Sequence, residues 1–282
     1  MKDQRPRYDR ELLLFGAKRE TVLELWEVQR YGIDSYGDAD YVSIYGLRPS
    51  EWHARGVRML GRTAVECTRD RLADAIGQDV AGIAATCPDA DRPFVVDPFA
   101  GSCNTLYWLL RRLAGARGVG FESDAQIFRL TQQNIAALDL SIGFQNIDYL
   151  SGLERVIVAP NDLLVAFIAP PWGDALEGTS GLDLRRTRPP VTEVVDILLQ
   201  KFSHNRTLFT IQVVELVVPI SLVELTARFD WSTLRIYELN VPGQNHGLII
   251  GTKGWTPEAG KPVGGDQPRH LPPTAGCFIH RL

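Results

Sequence analysis

The sequence predicts an α/β fold: a doubly wound, mostly parallel sheet with an antiparallel C-terminal strand pair and a helical N-terminal extension. Between residues 94 and 253, short apolar segments alternate regularly with amphipathic ones. This alternation is typical of a parallel sheet with helices on both faces, joined by right-handed crossovers. The last two apolar segments, 234–239 and 248–251, have no helix-like segment between them, which implies at least one antiparallel edge strand.

The individual elements follow from the same periodicity. The predicted strands cover 94–96, 118–121, 142–145, 163–168, 208–214, 234–239 and 248–251. The predicted helices cover 104–113, 124–138, 192–202 and 219–229. The segment Leu163–Ile168 is apolar throughout, as expected of a strand that is buried on both faces. Pro219 falls in the first turn of the last helix, where proline is favoured.

The regions on either side of this core have a different character. Residues 1–90 are predicted to be mostly helical, with amphipathic stripes over 11–29 and 63–76, and to form an N-terminal extension or lid. The sheet domain is predicted to cover 91–253. Residues 254–282 are rich in glycine and proline, and we expect them to form an extended or partly disordered tail.

The composition is that of an ordinary soluble globular protein, with 45% apolar and 23% charged residues. No apolar run reaches the roughly 20 residues of a membrane span, and no charged-then-apolar leader opens the sequence. The four cysteines lack Cys-x-x-Cys spacing, so we expect no metal site, no disulfide framework and a cytoplasmic location. A net charge of −4 gives no global attraction to nucleic acid, although a local basic patch would still supply one.

Polar residues follow three successive predicted strands. Asp97 ends the first and precedes a small-residue turn with Gly101, after which a helix begins at Asn104. Small residues let the backbone approach a ligand, and a helix N-terminus offers free N–H groups to a carboxylate. Glu122 ends the second strand, where an acid can accept hydrogen bonds from both hydroxyls of a ribose. Asp148 follows the third strand, where it could meet an adenine amino group.

The fourth strand ends in the segment Ala169-Pro170-Pro171-Trp172. Because proline cannot donate a ladder hydrogen bond, the sheet stops there, and a rigid turn holds a flat aromatic face beside unpaired carbonyls. Ligands of open α/β sheets bind at this carboxyl edge. The turn is therefore interpreted as a clamp for a flat or cationic acceptor.

Together these segments resemble the successive motifs of class I S-adenosylmethionine (SAM)-dependent methyltransferases, which have a Rossmann-like fold, over roughly residues 90–252. The Pro-Pro-Trp-Gly turn followed by Asp183-Leu184-Arg185 is most similar to the trimethylguanosine synthase group, whose members methylate a cap guanine stacked on the tryptophan. The resemblance implies that SAM is the cofactor. It assigns the cofactor to Asp97, Pro98, Phe99, Ala100, Gly101, Asn104, Glu122, Ser123, Asp148 and Ala169. It assigns the acceptor to Pro170, Pro171 and Trp172.

Two departures from the family pattern bear on the chemistry. Cys103 stands where many relatives have another glycine. Ala169 replaces the Asp, Asn or Ser that holds the nucleophilic nitrogen in amino-methylating relatives, so only backbone carbonyls would orient an amine. A carbon acceptor would instead need a base, and Asp174 and Glu215 are the candidates.

Alternatives remain open at several of these positions. An anionic acceptor would find Arg185 and Arg186 in the loop after the turn, unless they form a solvated surface. Trp172 is either the acceptor platform or a core anchor. The aromatic residues of the N-terminal region either cover the acceptor or pack among themselves; they are Trp26, Tyr31, Tyr36, Tyr41 and Tyr45. The histidines, His246 among them, are interpreted as ordinary surface or hydrogen-bonded residues.

Three functions are consistent with this pattern. The first is a SAM-dependent methyltransferase for a small acceptor that is planar or cation-forming, phosphorylated or otherwise anionic, and held against Trp172. The second is an RNA guanine-N2 methyltransferase of the cap type. The third is a non-catalytic partner or sensor that keeps the SAM pocket. Neither a membrane nor a metal is expected to take part, and the sequence does not fix the oligomeric state.

Overall fold

The computed structural model describes residues 7–177, 181–238 and 245–257 and the backbone of 269–270, without the side chains of Asp174 and Glu177. The strands are β1 Pro93–Asp97, β2 Arg117–Glu122, β3 Gly143–Asn146, β4 Leu163–Ile168, β5 Leu176–Glu177, β6 Gly181–Leu182, β7 Thr207–Val214, β8 Trp231–Glu238, β9 His246–Lys253 and β10 Arg269–His270. The helices are α1 Leu25–Tyr36, α2 Pro49–Ala54, α3 Gly61–Glu66, α4 Asp70–Ala84, α5 Asn104–Arg112, α6 Ala125–Ala137, α7 Tyr149–Arg155, α8 Val191–Lys201 and α9 Pro219–Thr226.

The main sheet confirms the predicted α/β class. Its strand order within the described residues is β10-β8-β9-β7-β4-β1-β2-β3, and all neighbours are parallel except where β9 pairs with β7 and with β8. The antiparallel β8–β9 pair was predicted, but its placement at the edge was wrong. The antiparallel strand β9 lies inside the sheet, where it is hydrogen-bonded to β7 on one side and to β8 on the other. Six of its eight residues are buried.

Helices cover both faces of the sheet. On one face, Leu153 of α7, Val194 of α8 and Leu225 of α9 pack against apolar residues of β1, β4 and β7. On the other face, Ile76 of α4 and Leu106 of α5 pack against the alternate residues of β1 and β4. Alternate strand residues thus point to opposite faces and form two separate apolar layers, as a doubly wound sheet requires.

The N-terminal helices are shorter than their apolar stripes predict. The stripe over 11–29 contains only a π-helical turn, Glu11–Phe15, before α1 begins, because the Leu23 N–H donates across to the Met59 carbonyl. The stripe over 63–76 is interrupted at Cys67, whose backbone is extended, and the Asp70 N–H donates to the Ser43 carbonyl. Tertiary hydrogen bonds therefore override the local pattern at both breaks.

Helix α4 belongs to the sheet layer, although the sequence places it in the N-terminal extension. Its buried residues join the apolar layer formed by α5 and the central strands. Most of the predicted tail, 254–282, lies outside the described residues. No helix in the described part of the chain has both the length and the apolar character to cross a membrane.

Candidate functional site

Asp97 is the last residue of β1 and is buried, with 2% of its surface exposed. Its Oδ1 accepts a hydrogen bond from the Phe99 N–H at 3.1 Å. Burial raises the pKa of Asp97 to about 7, and the nearby Glu122 adds to that rise. A carboxylate in this position is destabilised by its surroundings and would be stabilised by a cationic ligand.

Glu122 ends the neighbouring strand β2, whose residue Gly120 lies opposite Asp97 in the parallel register. Its Oε1 accepts the Asp124 N–H at 2.7 Å, and the Gly101 N–H is also a donor to it. Burial raises the pKa of Glu122, and these hydrogen bonds oppose that rise. Two acidic side chains therefore stand at adjacent strand ends with no lysine or arginine bonded to them among the described residues.

The loop between β1 and α5 lies close against β2. The Ala100 N–H donates to the Phe121 carbonyl at 2.9 Å, and a Cβ added at Gly120 would stand 2.6 Å from the Ala100 Cβ. Gly101 and Cys103 both have positive φ, of 48° and 57°. A Cβ at Gly101 would meet no described atom within 4 Å. The loop is thus a tight turn whose middle faces open space, as a ligand cradle requires.

Asn104 begins α5 but its side chain faces the N-terminal region. Its Oδ1 accepts the Tyr45 N–H and its Nδ2 donates to the Thr68 carbonyl, both at 2.7 Å. The Tyr45 hydroxyl in turn donates to the Ser102 carbonyl. Asn104 therefore fastens the N-terminal residues to the loop, and both ends of its amide already have protein partners.

The other predicted cofactor residues surround this loop at varying depth. Pro98 is buried, and Phe99 is half-buried against Tyr149, with ring centroids 5.3 Å apart. Ser123 is exposed at the end of β2. Asp148 is exposed and caps α7 by accepting the Ser151 N–H at 3.0 Å, and this hydrogen bonding lowers its pKa. Its contact with an adenine stays a prediction.

The turn after β4 supplies the aromatic part of the site. Pro170 is buried, Pro171 is exposed, and Trp172 is half-buried against the apolar layer on the α8 side. The Trp172 ring lies 6.4 Å from the ring of His246, centroid to centroid, with the planes tilted by 40°. Part of the indole is therefore a core contact and part remains open to a ligand.

The predicted charged residues of the acceptor side are placed differently. Arg185 forms a bidentate ion pair with Asp183, at 2.9 and 2.8 Å, while Arg186 is exposed. Glu215 is exposed and accepts a hydrogen bond from Asn245 at 2.9 Å. The backbone of Asp174 lies in a 3₁₀ turn, and its side chain is outside the described set.

Three residues that the structure places at this end of the sheet were not predicted from the sequence, namely Thr68, Arg69 and Gln212, and His246 was interpreted as an ordinary histidine. The Thr68 hydroxyl donates to the Gln212 Oε1 of β7 at 2.8 Å. Arg69 lies over the Tyr41 ring, 4.4 Å from its centroid, and is close enough to His246 to lower its pKa. The apolar stripe over 63–76 is continuous in the sequence and gives no sign that the backbone becomes extended at Cys67. Within the described residues, no cluster of His, Cys, Asp and Glu could hold a metal ion.

No known family profile and no curated protein matches this chain, but solved structures resemble it. The methyltransferase subunit of a type I restriction-modification system from Streptococcus thermophilus is 15% identical over 67% of this chain and 45% of that chain (TM-score 0.43). An rRNA methylase from the same species is 14% identical over 66% of this chain and 98% of that chain (TM-score 0.42). The N-terminal domain of human METTL16, complexed with SAH, is 15% identical over 62% of this chain and 66% of that chain (TM-score 0.43).

This chain thus spans less than half the length of the restriction-modification subunit. All three similarities are too distant to assign a family, a cofactor or an acceptor.

Proposed function

We propose that this chain is a SAM-dependent methyltransferase whose acceptor lies against Trp172. The observation that carries the proposal is a juxtaposition at one sheet edge. Two buried or half-buried acids, Asp97 and Glu122, flank the loop around Gly101, and the Pro170-Pro171-Trp172 turn follows the strand on the other side of β1. A cofactor half and an acceptor half thus adjoin along three neighbouring strands.

The donor set on the cofactor side fits SAM. Asp97 is a buried acid without a cationic partner in the described chain, and the ammonium group of SAM would supply that positive charge. Glu122 stands at the end of β2, where an acid accepts hydrogen bonds from ribose hydroxyls. The open side of Gly101 lets a ligand approach the backbone. Asn104 is not included, because its amide is bonded to Tyr45 and Thr68.

The chemistry asks little of the protein beyond placement. Bound SAM supplies a methyl group that its sulfonium already activates. The turn of residues 169–172 would hold a planar acceptor by stacking and orient it through backbone carbonyls, so that the rate depends on alignment. Glu215 is exposed and held by Asn245, which weakens its candidacy as a base.

The enclosure of the acceptor side favours a small acceptor. Thr68 of the N-terminal region is hydrogen-bonded to β7, the charge of Arg69 acts on His246 of β9, and Trp172 is itself half-buried. An RNA substrate would need an open basic groove, and Arg185 is already paired with Asp183. The RNA guanine hypothesis is therefore the second choice and becomes an outcome of the test.

The first experiment measures the affinity for SAM and S-adenosylhomocysteine (SAH) by isothermal titration calorimetry. We expect both to bind, and a screen of small acceptors with methyl-labelled SAM to give a labelled product. No affinity for either ligand would overturn the proposal. Tight cofactor binding without transfer to any acceptor would favour the non-catalytic sensor, and transfer to RNA alone would favour the guanine-N2 enzyme.

The second experiment separates the two halves with Trp172→Ala. Loss of the stacking platform should lower turnover by about a hundredfold, while the affinity for SAH changes little. The matched control is Trp26→Ala, which removes an indole that is 59% exposed and packs on Tyr8. Equal turnover in the two variants would remove Trp172 from the acceptor site.

A further inference from the structure

Arg69 is a fixed cation at the edge of the proposed acceptor site. Its Nη2 donates to the carbonyls of Ala64 and Val65, at 3.2 and 3.1 Å, at the end of α3. The guanidinium lies 4.4 Å from the ring centroid of Tyr41 and 5.6 Å from that of Tyr36. These two rings stack on each other at 3.5 Å. Arg69 is therefore held in one place before any ligand binds.

This cation has no acidic partner in the described part of the chain. No carboxylate lies within ion-pair distance of Arg69, and its neighbour Asp70 is bonded instead to the Trp108 indole N–H at 2.6 Å and the Gly46 N–H at 2.9 Å. The Arg69 Nε is buried and has no hydrogen-bond partner. Arg69 is half-buried, and a partly desolvated charge without a counter-charge costs free energy that binding an anion there would offset.

His246 lies against Trp172 and within the electrostatic range of Arg69. Burial and the positive charge of Arg69 lower the pKa of His246 to about 4, so the imidazole is neutral near pH 7. Its Nδ1 is buried and also lacks a hydrogen-bond partner among the described residues. A neutral imidazole can donate a hydrogen bond from one nitrogen. Because its ring contacts Trp172, this unused polar atom belongs to the acceptor side of the site.

Gln212 brings a third polar group to the same place. It is 7% exposed, and its Oε1 accepts the Thr68 hydroxyl, which leaves the Nε2 end of the amide to donate elsewhere. The pairing of β7 with β4 ends at Ile211, opposite Ile168, so Gln212 is the first residue of β7 beyond that pairing, beside the start of the Pro-Pro-Trp turn. Elements far apart in sequence thus place three donors at one edge of the sheet.

We propose that Arg69, His246 and Gln212 form a subsite for an anionic oxygen group, a carboxylate or a phosphate, carried by the planar acceptor that stacks on Trp172. The subsite deepens the proposed methyltransferase function and rests on it for its role in turnover. It narrows the acceptor from any planar molecule to an anionic one. It also moves the anion contact from Arg185, which is paired with Asp183, to Arg69, which has no such partner.

The experiment compares three probes of similar size: benzoate, phenyl phosphate and the uncharged benzamide. Each is titrated calorimetrically into the full chain, with and without saturating SAH, in a buffer free of phosphate and sulfate. We expect at least one anion to bind about tenfold or more tightly than benzamide, since a hydrogen bond to a charged group discriminates on that scale. The stronger of the two anions identifies carboxylate or phosphate as the natural group.

Variants then test whether Arg69 is responsible. Arg69→Met should abolish the preference for the anion, and Arg69→Lys should keep part of it. The matched control is Arg228→Met, which removes an arginine that follows α9 and is paired with Asp196 of α8. His246→Phe keeps a ring against Trp172 and should lower anion affinity several-fold, so the test stands even if Arg69→Met fails to fold.

The outcomes separate the subsite from the wider function. Equal binding of benzamide and both anions to the wild-type protein would overturn the subsite, whatever the affinity for SAH. So would an unchanged preference in Arg69→Met and His246→Phe. An anion preference without any SAH binding would support the subsite while removing the methyltransferase proposal.

Discussion

The two halves of the proposed site differ in charge and in how far apart their residues lie in the sequence. The cofactor half, around Asp97 and Glu122, is acidic, and its residues lie close together in sequence at the ends of adjacent strands. The acceptor half, around Arg69, Trp172 and His246, is cationic and aromatic and is assembled from distant parts of the chain. The acidic half calls for a positive ligand and the cationic half for a negative one. Opposite fields on the two sides would therefore orient two different ligands toward one another.

The largest effect on the cofactor half is expected for Asp97→Asn. Removing the negative charge should weaken SAH binding by about a hundredfold, because a desolvated charge pair with the ligand ammonium is lost. The matched control is Asp162→Asn, a buried acid that pairs with Arg117 at 3.1 Å away from the site. Calorimetric titration of both variants decides the matter, and equal losses would place the ammonium contact elsewhere.

The acidic half should also couple ligand binding to pH. Since the pKa of Asp97 is about 7 without ligand, SAH binding should release close to one proton at pH 6, and affinity should rise up to about tenfold per pH unit from pH 5 to 7. Calorimetry in buffers of different ionisation enthalpy counts the protons. Binding without proton release would show that Asp97 is already ionised or does not contact the ligand.

The raised pKa of Asp97 also determines how the free energy of unfolding changes with pH. Folding raises the pKa of Asp97 from about 3.9 in an unfolded chain, so the folded state holds this proton more tightly. The stabilisation from this group is complete below about pH 4 and is lost as the pH rises through 7. Asp97→Asn should therefore be more stable than the wild type at pH 8 without ligand. Urea denaturation at pH 5 and pH 8 measures the difference.

The connection between the cofactor loop and the N-terminal region, which carries Arg69 of the acceptor half, is tested by Asn104→Ala. This change leaves the Tyr45 N–H and the Thr68 carbonyl without partners, and the free energy of unfolding should fall by about 2 kcal/mol. The control is Asn205→Ala, which removes a more exposed amide bonded to Ala159 and should cost less. Urea denaturation measures both, and equal costs would mean that Asn104 does not join the N-terminal region to the loop.

The smallest effect is expected for Glu215→Gln. Because Glu215 is exposed and already bonded to Asn245, turnover should stay within about threefold of the wild type. Its matched comparison is Glu193→Gln, an exposed acid in the first turn of α8. A tenfold or greater loss for Glu215 alone would identify it as a base and shift the chemistry toward a carbon acceptor.

The positions of the residues in the proposed cofactor half could be predicted from the sequence better than those in the proposed acceptor half, for a physical reason. The strand Leu163–Ile168 was predicted to the residue, because burial on both faces leaves an unbroken apolar run between turn residues. Acids at strand ends are also local features that follow directly from the strand boundaries. Helix α7, in contrast, was missed, and its cap Asp148 was interpreted only as a ligand contact.

The acceptor half depends on long-range pairing that periodicity does not encode. Arg69 lies in a predicted continuous helix, and only the bond from the Asp70 N–H to the Ser43 carbonyl and the extended Cys67 show why that helix breaks. His246 was interpreted as an ordinary histidine, because its contact with Trp172 spans more than seventy residues of sequence. Such a contact is visible only once the strand order is known.

The internal position of β9 has a consequence for how the protein is made. This strand is inserted between β7 and β8, which both precede it in the chain. During synthesis, β7 would therefore expose an unpaired apolar edge until residues 246–253 emerge, and such edges invite aggregation. His246 opens β9, so the acceptor half is completed last on the ribosome. A chain that ends before this strand would contain the residues of the cofactor half but would leave the β7 edge of the sheet unpaired.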